Sequence, residues 1–434
     1  MIAAVLAGAG TRAHAESARM LKGPYLQDLA PTSITVMWQL ERPAPARLVV
    51  IGPDGERAQE VGAARIAEAR VTDLRPASRY RYRVEVDGET WNGEFATAPE
   101  IGAEVPFSFV VLGDTRYSTD AHRRVIERVS QEVPDFVLGT GDMVDEGHRQ
   151  DQWQDFFDVE RTLLRDNVYF PALGNHDRQG RGRTADSYRS YFSVPENGGE
   201  TERYYAFSYA TSRFLVLDSN EYSFALTDQT AWIERELIAA RQDPRVRHIF
   251  VVMHHPPFSI SLHGGNRDLR ERWTPLFERY QVTAVFAGHD HVYSRAEHNG
   301  LRYFVTGGGG APLYARRPRP DPIDAAAVKK FERVHHFLRV TVTGNRIEIM
   351  AIRSDGTTIE TTTWTDGPPP SAAPPEPAPQ VAAAGAAGAA PTRAPSPTAR
   401  VTPPAPSRSL AWVGFAGIGL LLAAAVVVVR TLRR

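Results

Sequence analysis

Five short polar clusters follow apolar runs in the middle of the 434-residue chain, and together they supply carboxylate, amide and imidazole side chains. In chain order they are Gly113-Asp114-Thr115-Arg116, Gly141-Asp142-Met143-Val144-Asp145, Gly174-Asn175-His176-Asp177, Val251-Val252-Met253-His254-His255 and Gly288-His289-Asp290-His291. Such groups bind Fe, Mn, Zn and Mg in proteins. Two such divalent or trivalent ions, side by side, would activate water as a metal-bound hydroxide nucleophile and hold a phosphate group. The pattern therefore predicts hydrolysis of phosphate esters at a dinuclear metal centre.

Six side chains from these clusters are the predicted metal ligands. They are Asp114, Asp142, Asn175, His254, His289 and His291. Asp142 is expected to bridge the two ions, because a carboxylate can give one oxygen to each. Asp114 and His291 are assigned to the first ion, and the amide and the other two imidazoles are assigned to the second.

His176 follows the ligand Asn175 directly and is a candidate proton donor to the leaving group. Asp145 lies shortly after Asp142 and is expected to orient His176 through its other ring nitrogen. A single Gly-Asp after a strand is more often a turn, and a single His-x-His pair is more often structural. Five clusters in order favour metal chemistry over these simpler interpretations.

Each cluster follows a predicted strand, which would bring the polar side chains to strand ends. These strands are residues 107–112, 136–138, 168–173, 247–253 and 283–287. A helix predicted at residues 120–131 completes a βαβ pattern. Open α/β sheets place their sites at the carboxyl ends of strands, so we expect the clusters to converge. Later strands, at residues 302–306, 337–342 and 346–352, are predicted to form a second sheet packed on the first.

Residues 23–99 are predicted to form a separate all-β sandwich domain. Residues 33–38 and 80–86 alternate polar and apolar side chains, which is typical of half-buried strands. Several short strands at this spacing favour a sandwich. Residues 74–80 resemble the turn before a late strand in fibronectin type III modules.

The two ends of the chain predict export and membrane anchoring. Residues 1–15 have the apolar run and small-residue cleavage pattern of a signal peptide. Residues 366–409 are a predicted disordered linker, since residues 368–406 contain thirteen prolines and thirteen alanines. Residues 410–429 are uncharged and long enough for one transmembrane helix, and the basic residues 430–434 predict a cytoplasmic tail. The main body would then lie outside the cytoplasm, at the cell surface or on the periplasmic face.

Composition excludes several classes of function. The 50 basic and 51 acidic residues nearly cancel, so that no general field indicates a nucleic-acid partner. The absence of cysteine excludes disulfides and thiolate metal sites. The expected partners are a phosphorylated small-molecule or lipid substrate, which the predicted metal chemistry indicates, and the membrane, through the predicted C-terminal helix.

Residues 106–353 resemble the calcineurin-like metallophosphoesterases, and residues 20–353 as a whole resemble their purple acid phosphatase branch. The similarity lies in four segments, residues 23–27, 33–38, 288–295 and 305–310. The resemblance implies an αββα sandwich in residues 106–365, with the metals at one edge, and a fibronectin III-like domain in residues 23–99. It also implies an acid phosphatase-like activity on phosphomonoesters.

The chain departs from the family pattern at two positions. The family's first motif usually carries a metal-binding histidine where this chain has Arg116, which cannot ligate a metal. Arg116 either binds the phosphate through its guanidinium or forms a salt bridge with a nearby carboxylate. Purple acid phosphatases carry an iron-binding tyrosine where this chain has Asp145. The first metal site would therefore be one ligand short unless Asp145 itself ligates, for which the orienting role is preferred, and a purple colour is not expected.

Two further histidines are candidate substrate contacts. The resemblance puts His255 near the rim of the cleft, where substrate contact and structural packing are both open. His263 lies in a glycine-rich loop of residues 259–266 and is a substrate contact or a solvated loop residue. Three alternative functions remain open at this stage: a phosphodiesterase for nucleotides or phospholipid headgroups, a non-catalytic surface-adhesion protein, and a single-metal sensor that binds phosphate without cleaving it.

Overall fold

The N-terminal part of the chain is a five-stranded antiparallel sheet. The computed structural model describes residues 17–117, 119–179, 184–198, 203–220 and 226–366. The strands of this N-terminal sheet are β1 (Met20–Gln27), β2 (Ile34–Gly52), β3 (Gly55–Val71), β4 (Arg79–Val86) and β5 (Glu89–Ala96). β2 and β3 form one long hairpin, along which β1 pairs with the first part of β2 and β4 with its last part.

The pairing in this sheet differs from the two-sheet sandwich that we predicted. Hydrogen bonds join all five strands into one sheet. The reason is the length of β2, which pairs with β1 in its first part and with β4 in its last part while β3 follows it throughout. Its register shifts between Gln39 and Ala46, close to Pro43 and Pro45. Proline cannot donate a ladder hydrogen bond, so an irregularity at this point follows from the sequence.

The rest of the described chain consists of two larger sheets and seven helices. Its strands are β6 (Phe107–Leu112), β7 (Phe136–Gly139), β8 (Tyr169–Pro171), β9 (Tyr205–Tyr209), β10 (Ser212–Val216), β11 (His248–Val252), β12 (Ala284–Ala287), β13 (Tyr293–His298), β14 (Leu301–Thr306), β15 (Val328–Glu332), β16 (His336–Thr343), β17 (Arg346–Arg353) and β18 (Thr358–Thr365). Its helices are α1 (Thr119–Val129), α2 (Gln150–Asp166), α3 (Asp186–Tyr191), α4 (Leu226–Gln242), α5 (Arg267–Arg272), α6 (Thr274–Arg279) and α7 (Pro322–Ala327). The predicted domain limits at 23–99 and 106–365 remain predictions.

The five strands that precede the polar clusters are divided between the two larger sheets. The six-stranded sheet has the order β18-β17-β16-β6-β7-β8, and the seven-stranded sheet has the order β15-β13-β14-β12-β11-β10-β9. We predicted that the strands at residues 302–306, 337–342 and 346–352 form a second sheet of their own, and this is wrong. β14 pairs with β12, whereas β16 pairs with β6 and β17. Hydrophobic periodicity identifies a strand but not its partner, which long-range packing selects.

The two larger sheets pack face to face, and helices cover their outer faces. The ring of Phe109 lies 5.4 Å from that of Phe250, and the ring of Phe136 lies 5.4 Å from that of Phe214. Helices α1, α2 and α3 share a core with the six-stranded sheet, and α4, α5 and α6 share one with the seven-stranded sheet. Covered on both faces, β7 and β11 are buried along their whole length. The four layers are those that the family resemblance implied.

The N-terminal sheet contacts α2 through polar groups. The ammonium of Lys22 donates to Gln39 Oε1 at 2.6 Å and to Gln154 Oε1 at 3.2 Å. The hydroxyl of Tyr82 donates to the carbonyl oxygen of Arg165 at 2.7 Å. Burial lowers the pKa of Lys22 to about 8. These contacts hold the N-terminal sheet against the six-stranded side of the α/β layers.

Several predicted segments lie outside the described residues. They are the signal peptide (1–15), nearly all of the linker (366–409), the transmembrane helix (410–429) and the basic tail (430–434). Among the residues that the structure does describe, no helix combines the length and the apolar character needed to span a bilayer.

Candidate metal centre

The five predicted clusters converge where strands of the two larger sheets end. Asp114, Asp142 and Asn175 follow β6, β7 and β8 of the six-stranded sheet. His254 follows β11 and His289 follows β12 of the seven-stranded sheet, with His291 two residues further on. The centre therefore lies between two sheets rather than on one, and all six predicted ligands belong to it. Their role as ligands remains a prediction.

The backbone at these strand ends is held in conformations that side-chain-bearing residues rarely adopt. Asp114, Asp142 and His289 have φ values of 58°, 56° and 67°, in the left-handed region. A Cβ at Gly174 would come within 2.2 Å of Asp142 Oδ1, and one at Gly288 within 2.4 Å of Asp114 Oδ2. The glycines of the motifs thus allow backbone and carboxylate to approach closely.

One half of the centre consists of atoms with lone pairs directed at one another. We call Asp142, Asn175, His254 and His289 the Asn175 half-site. Asn175 Oδ1 lies 3.0 Å from His254 Nε2 and 3.1 Å from His289 Nδ1. His254 Nε2 lies 3.3 Å from His289 Nδ1 and 3.3 Å from Asp142 Oδ1. Four donor atoms of the kinds that metals bind therefore converge on one point.

The orientation of His254 fits a metal ligand. Its Nδ1 donates to the carbonyl oxygen of Thr140 at 2.8 Å, which leaves the lone pair of Nε2 directed into the half-site. Burial alone would lower the pKa of His254, but the charges of Asp142 and Asp114 outweigh it and raise the pKa to about 9. The half-site therefore favours a positive charge, which a metal ion would supply.

The other half of the centre contains an arginine. We call Asp114, Asp142, Asp145 and His291, with the guanidinium of Arg116 between them, the Arg116 half-site. Arg116 Nη1 donates to Asp145 Oδ1 at 2.9 Å, Nη2 lies 3.4 Å from His291 Nε2, and Nε lies 3.3 Å from Asp142 Oδ2. Arg116 is buried, and despite the cost of burial these carboxylates raise its pKa. Of the two roles open for Arg116, the salt bridge with a nearby carboxylate is observed.

His291 is held so that its Nε2 faces the guanidinium. Its Nδ1 donates to the carbonyl oxygen of Pro312 at 2.7 Å, and the Tyr314 ring stacks on it with a centroid separation of 4.0 Å. His291 Nε2 also lies 3.4 Å from Asp114 Oδ1. Both carboxylate oxygens of Asp114 accept from the backbone N–H of His289, at 3.1 and 3.0 Å, which ties the two half-sites together.

His176 lies beside the centre and contacts Asp145, as the sequence suggested. Its Nδ1 donates to the backbone carbonyl oxygen of Asp145 at 2.7 Å and lies 3.1 Å from Asp145 Oδ1. Its backbone N–H donates to Asp142 Oδ1 at 2.9 Å. The side chain is 30% exposed, so a bound molecule could reach the ring. The contact with the Asp145 backbone was not predictable, because it depends on the fold of the loop after β7.

His255 and His263 both lie against the Asn175 half-site. The ring of His255 is 4.4 Å from that of His289, and its Nδ1 is 2.9 Å from Ser219 Oγ. The ring of His263 is 4.2 Å from that of His289, and its side chain is 40% exposed. Burial and the neighbouring imidazoles lower the pKa of His289 strongly. The glycine-rich loop thus brings His263 to the edge of the centre, although the sequence favoured a solvated loop position.

Two buried aspartates support the loops that carry the predicted ligands, although the sequence pattern indicated no role for them. Asp177 accepts hydrogen bonds from the backbone N–H groups of Gly174, Asp142 and Met143 at 2.8–2.9 Å. Asp290 accepts from Ser259 Oγ and lies 3.0 Å from His263 Nδ1. Both aspartates lie inside the polar clusters: Asp290 stands between two predicted ligands and Asp177 two residues after one, and this position was the available signal.

Three comparisons relate this centre to known proteins. The Calcineurin-like phosphoesterase family matches residues 107–293. An uncharacterized protein of Mycobacterium tuberculosis is 30% identical over 275 residues, which are 54% of this chain and 51% of the relative. A purple acid phosphatase of Glycine max is 27% identical over 271 residues, 57% of this chain and 56% of the relative.

Similarity of fold extends further than the sequence matches. The solved purple acid phosphatase PPD1 of yellow lupin aligns with a TM-score of 0.67 at 19% identity, covering 79% of this chain and 74% of that one. At this identity the likeness concerns the fold alone. The chain spans about half the length of the curated relatives it matches. Residues 107–293 therefore match a calcineurin-like phosphoesterase domain, and the chain is similar in sequence to a purple acid phosphatase and in fold to a second one.

Proposed function

We propose that the chain hydrolyses phosphate esters and that a metal ion held by the Asn175 half-site is required. The observation that carries this proposal is the approach of Asn175 Oδ1, His254 Nε2 and His289 Nδ1 to within 3.0–3.3 Å of one another, with Asp142 Oδ1 3.3 Å from His254 Nε2. A relative named as a purple acid phosphatase supports a phosphomonoester as the substrate.

The donor set suits some metals better than others. Two imidazoles with an amide and a carboxylate favour Zn, Fe or Mn over Mg, which prefers oxygen ligands alone. Such an ion, when bound, neutralises phosphate charge and lowers the pKa of a water molecule. The dinuclear centre predicted from sequence would need a second ion in the Arg116 half-site, but the activity proposed here needs only the first.

The chain's own residues would then hold the phosphate and supply a proton. The guanidinium of Arg116 is a fixed positive charge beside Asp142, where it can offset the charge that develops on a phosphate. In its imidazolium form, His176 would give its Nε2 proton to the leaving oxygen and keep its Nδ1 proton, which is hydrogen-bonded to Asp145 O. His255 and His263, next to His289, are the candidate contacts for the rest of the substrate.

A second candidate function, hydrolysis of phosphodiesters, has one observation in its favour. A cavity of about 280 Å³ adjoins the Arg116 half-site and is lined by Arg116, Asp145, Tyr117 and Arg149, among others. A second ester substituent of modest size, such as a nucleoside or a lipid headgroup, could lie there. Arg116 would then contact the phosphate from the side that faces this cavity.

We also propose that the protein acts outside the cytoplasm while anchored to a membrane. The proposal is supported by the sequence alone, through residues 1–15 and the uncharged residues 410–429. Its substrate would then be a phosphorylated small molecule or a lipid at that surface. A non-catalytic adhesion protein or a phosphate-binding sensor would give no turnover in the experiment below.

The test is turnover by the full-length chain in detergent. The protein is stripped with a chelator, reloaded with Zn, Fe, Mn or Mg, and assayed with p-nitrophenyl phosphate and bis-p-nitrophenyl phosphate. We expect no turnover after stripping, recovery with at least one of the first three metals, and a higher rate on the monoester. A higher rate on the diester would select the second candidate function. No turnover of either ester with any metal would refute the proposed activity.

A further inference from the structure

The Arg116 half-site offers an internal cation where the family resemblance leads one to expect a metal ion. Its potential ligands are Asp114, Asp142, Asp145 and His291. Three of the four, all but Asp114, lie within 3.4 Å of a guanidinium nitrogen of Arg116. Nη1 and Nη2 face Asp145 Oδ1 and His291 Nε2, and Nε forms an ion pair without a hydrogen bond to Asp142 Oδ2, so the guanidinium charge lies among the groups that a metal ion would bind.

The geometry of His291 supports this interpretation. Because its Nδ1 donates to Pro312 O, its Nε2 is an acceptor when the ring is neutral, and Arg116 Nη2 is a donor that cannot be deprotonated. The pair is therefore complementary as it stands. In the Asn175 half-site, by contrast, the atoms that approach one another are Asn175 Oδ1, His254 Nε2 and His289 Nδ1, all of which can bind a metal ion once the imidazoles are neutral.

Arg116 is also fixed in this position. The side chain is 7% exposed, and its guanidinium carbon lies 4.9 Å from the centre of the Tyr117 ring. Moving Arg116 out would leave the buried carboxylate of Asp142 and the nearly buried one of Asp145 without their cation. A metal ion and the guanidinium cannot both occupy the space between these groups.

We propose that the guanidinium of Arg116 takes the place of the second metal ion, so that the chain binds one metal, in the Asn175 half-site. This inference rests on the proposed function only in assuming that the Asn175 half-site binds a metal. The fixed charge of Arg116 contributes to holding phosphate, as a second ion would, but it cannot lower the pKa of a bound water in the same way. Activation of water is thereby assigned to the Asn175 half-site alone.

The experiment counts metal ions in the full-length chain. The stripped protein is titrated with Mn²⁺, and bound metal per chain is measured by elemental analysis after removal of free ions. Low-temperature electron paramagnetic resonance then separates isolated Mn²⁺ from exchange-coupled pairs. We expect one equivalent with the spectrum of isolated Mn²⁺. Two equivalents with a coupled spectrum in the unmodified protein would overturn the inference without the need for any variant.

Variants at Arg116 test the cause of the single equivalent. Arg116→His adds an imidazole to Asp114, Asp142 and His291, and we expect its stoichiometry to rise from one to two. Arg116→Lys keeps a cation in place and should stay at one. Arg149→His is the matched control, since Arg149 lines the same cavity but pairs with Asp151 at the surface, and it should also stay at one. If Arg116→His, folded by its circular dichroism and thermal melt, stays at one, Arg116 is not what limits the metal count.

Ester hydrolysis is measured on the same samples, so that the two proposals can fail separately. One equivalent of Mn²⁺, together with no turnover after reloading with Zn, Fe, Mn or Mg, would refute the proposed function and leave the role of Arg116 intact. Two equivalents with turnover would support the proposed function and overturn the role of Arg116.

Discussion

The Asn175 half-site and the Arg116 half-site share the carboxylate of Asp142 but balance its charge in different ways. On one side Asp142 Oδ1 lies 3.3 Å from His254 Nε2, which in turn lies 3.0 Å from Asn175 Oδ1 and 3.3 Å from His289 Nδ1. On the other side Asp142 Oδ2 lies 3.3 Å from Arg116 Nε. On the first side an imidazole, which can exchange its proton for a metal ion, balances the carboxylate, whereas on the second side a guanidinium with a permanent charge does so. The charge of the one carboxylate that the two half-sites share is therefore balanced in two different ways.

The two half-sites also differ in how their imidazoles are held. The Nδ1 of His254 and the Nδ1 of His291 each donate to a backbone carbonyl oxygen, of Thr140 and Pro312 respectively. Both rings thus present Nε2 to the centre, and the difference lies only in what Nε2 meets. Because the support is the same, the distinction between the half-sites comes from one side chain, Arg116.

Removing His254 should have the largest effect on this contrast. In His254→Ala the Asn175 half-site loses an imidazole ligand, and we expect the bound metal to be lost and kcat/KM to fall by about 10³-fold or more. Elemental analysis and ester turnover measure the two effects. His148→Ala, at a surface histidine whose side chain is 60% exposed, is the control and should change neither. Full metal retention in His254→Ala would mean that the cation binds elsewhere.

Removing His176 should separate metal binding from proton transfer. His176→Ala removes a ring that is not part of either half-site. The ring does contact Asp145, which is part of the Arg116 half-site. We expect one metal to remain and kcat to fall by about 10²-fold, the usual scale for loss of a general acid. A leaving group that needs no protonation, such as p-nitrophenolate, should show a smaller loss than an alkyl phosphate. Equal losses on both substrates, or loss of the metal, would contradict a proton-donating role.

Removing His263 should have the smallest effect. Its ring lies against His289 but its side chain is 40% exposed, and Asp290 holds it from the opposite side. We expect His263→Ala to raise KM by about fivefold, equivalent to the loss of a hydrogen bond worth ~1 kcal/mol, with kcat and metal content unchanged. A change in metal content would instead place His263 within the Asn175 half-site. An unchanged KM would leave it as a loop residue without a part in binding.

Strand positions were the most predictable features. The strand predicted at residues 107–112 has the bounds of β6, and the helix predicted at residues 120–131 corresponds to α1. Such elements can be recognised from sequence because a buried strand needs a continuous apolar run and a surface helix needs an apolar stripe. The strands β9, β10, β13, β15 and β18 were not predicted.

Pairing and orientation were not predictable from local pattern. The strands at residues 302–306 and 337–342 looked alike but joined different sheets, as β14 and β16. The support that Asp177 gives to three backbone N–H groups depends on loops from β7 and β8 lying side by side. Contacts of this kind join residues that are distant in the chain, and their selection depends on the packing of the whole core.

The sequence by itself determined which chemical groups the chain can offer, namely the carboxylates, the amide, the imidazoles and the one arginine at position 116. It also determined that these groups stand at strand ends, because hydrophobic runs of fixed period precede them. Only the tertiary structure decided that Arg116 turns inward, between Asp142, Asp145 and His291, instead of outward to solvent. A side chain's direction depends on which acceptors the folded chain brings within reach and on how deeply they are buried, and neither is a local property of the sequence.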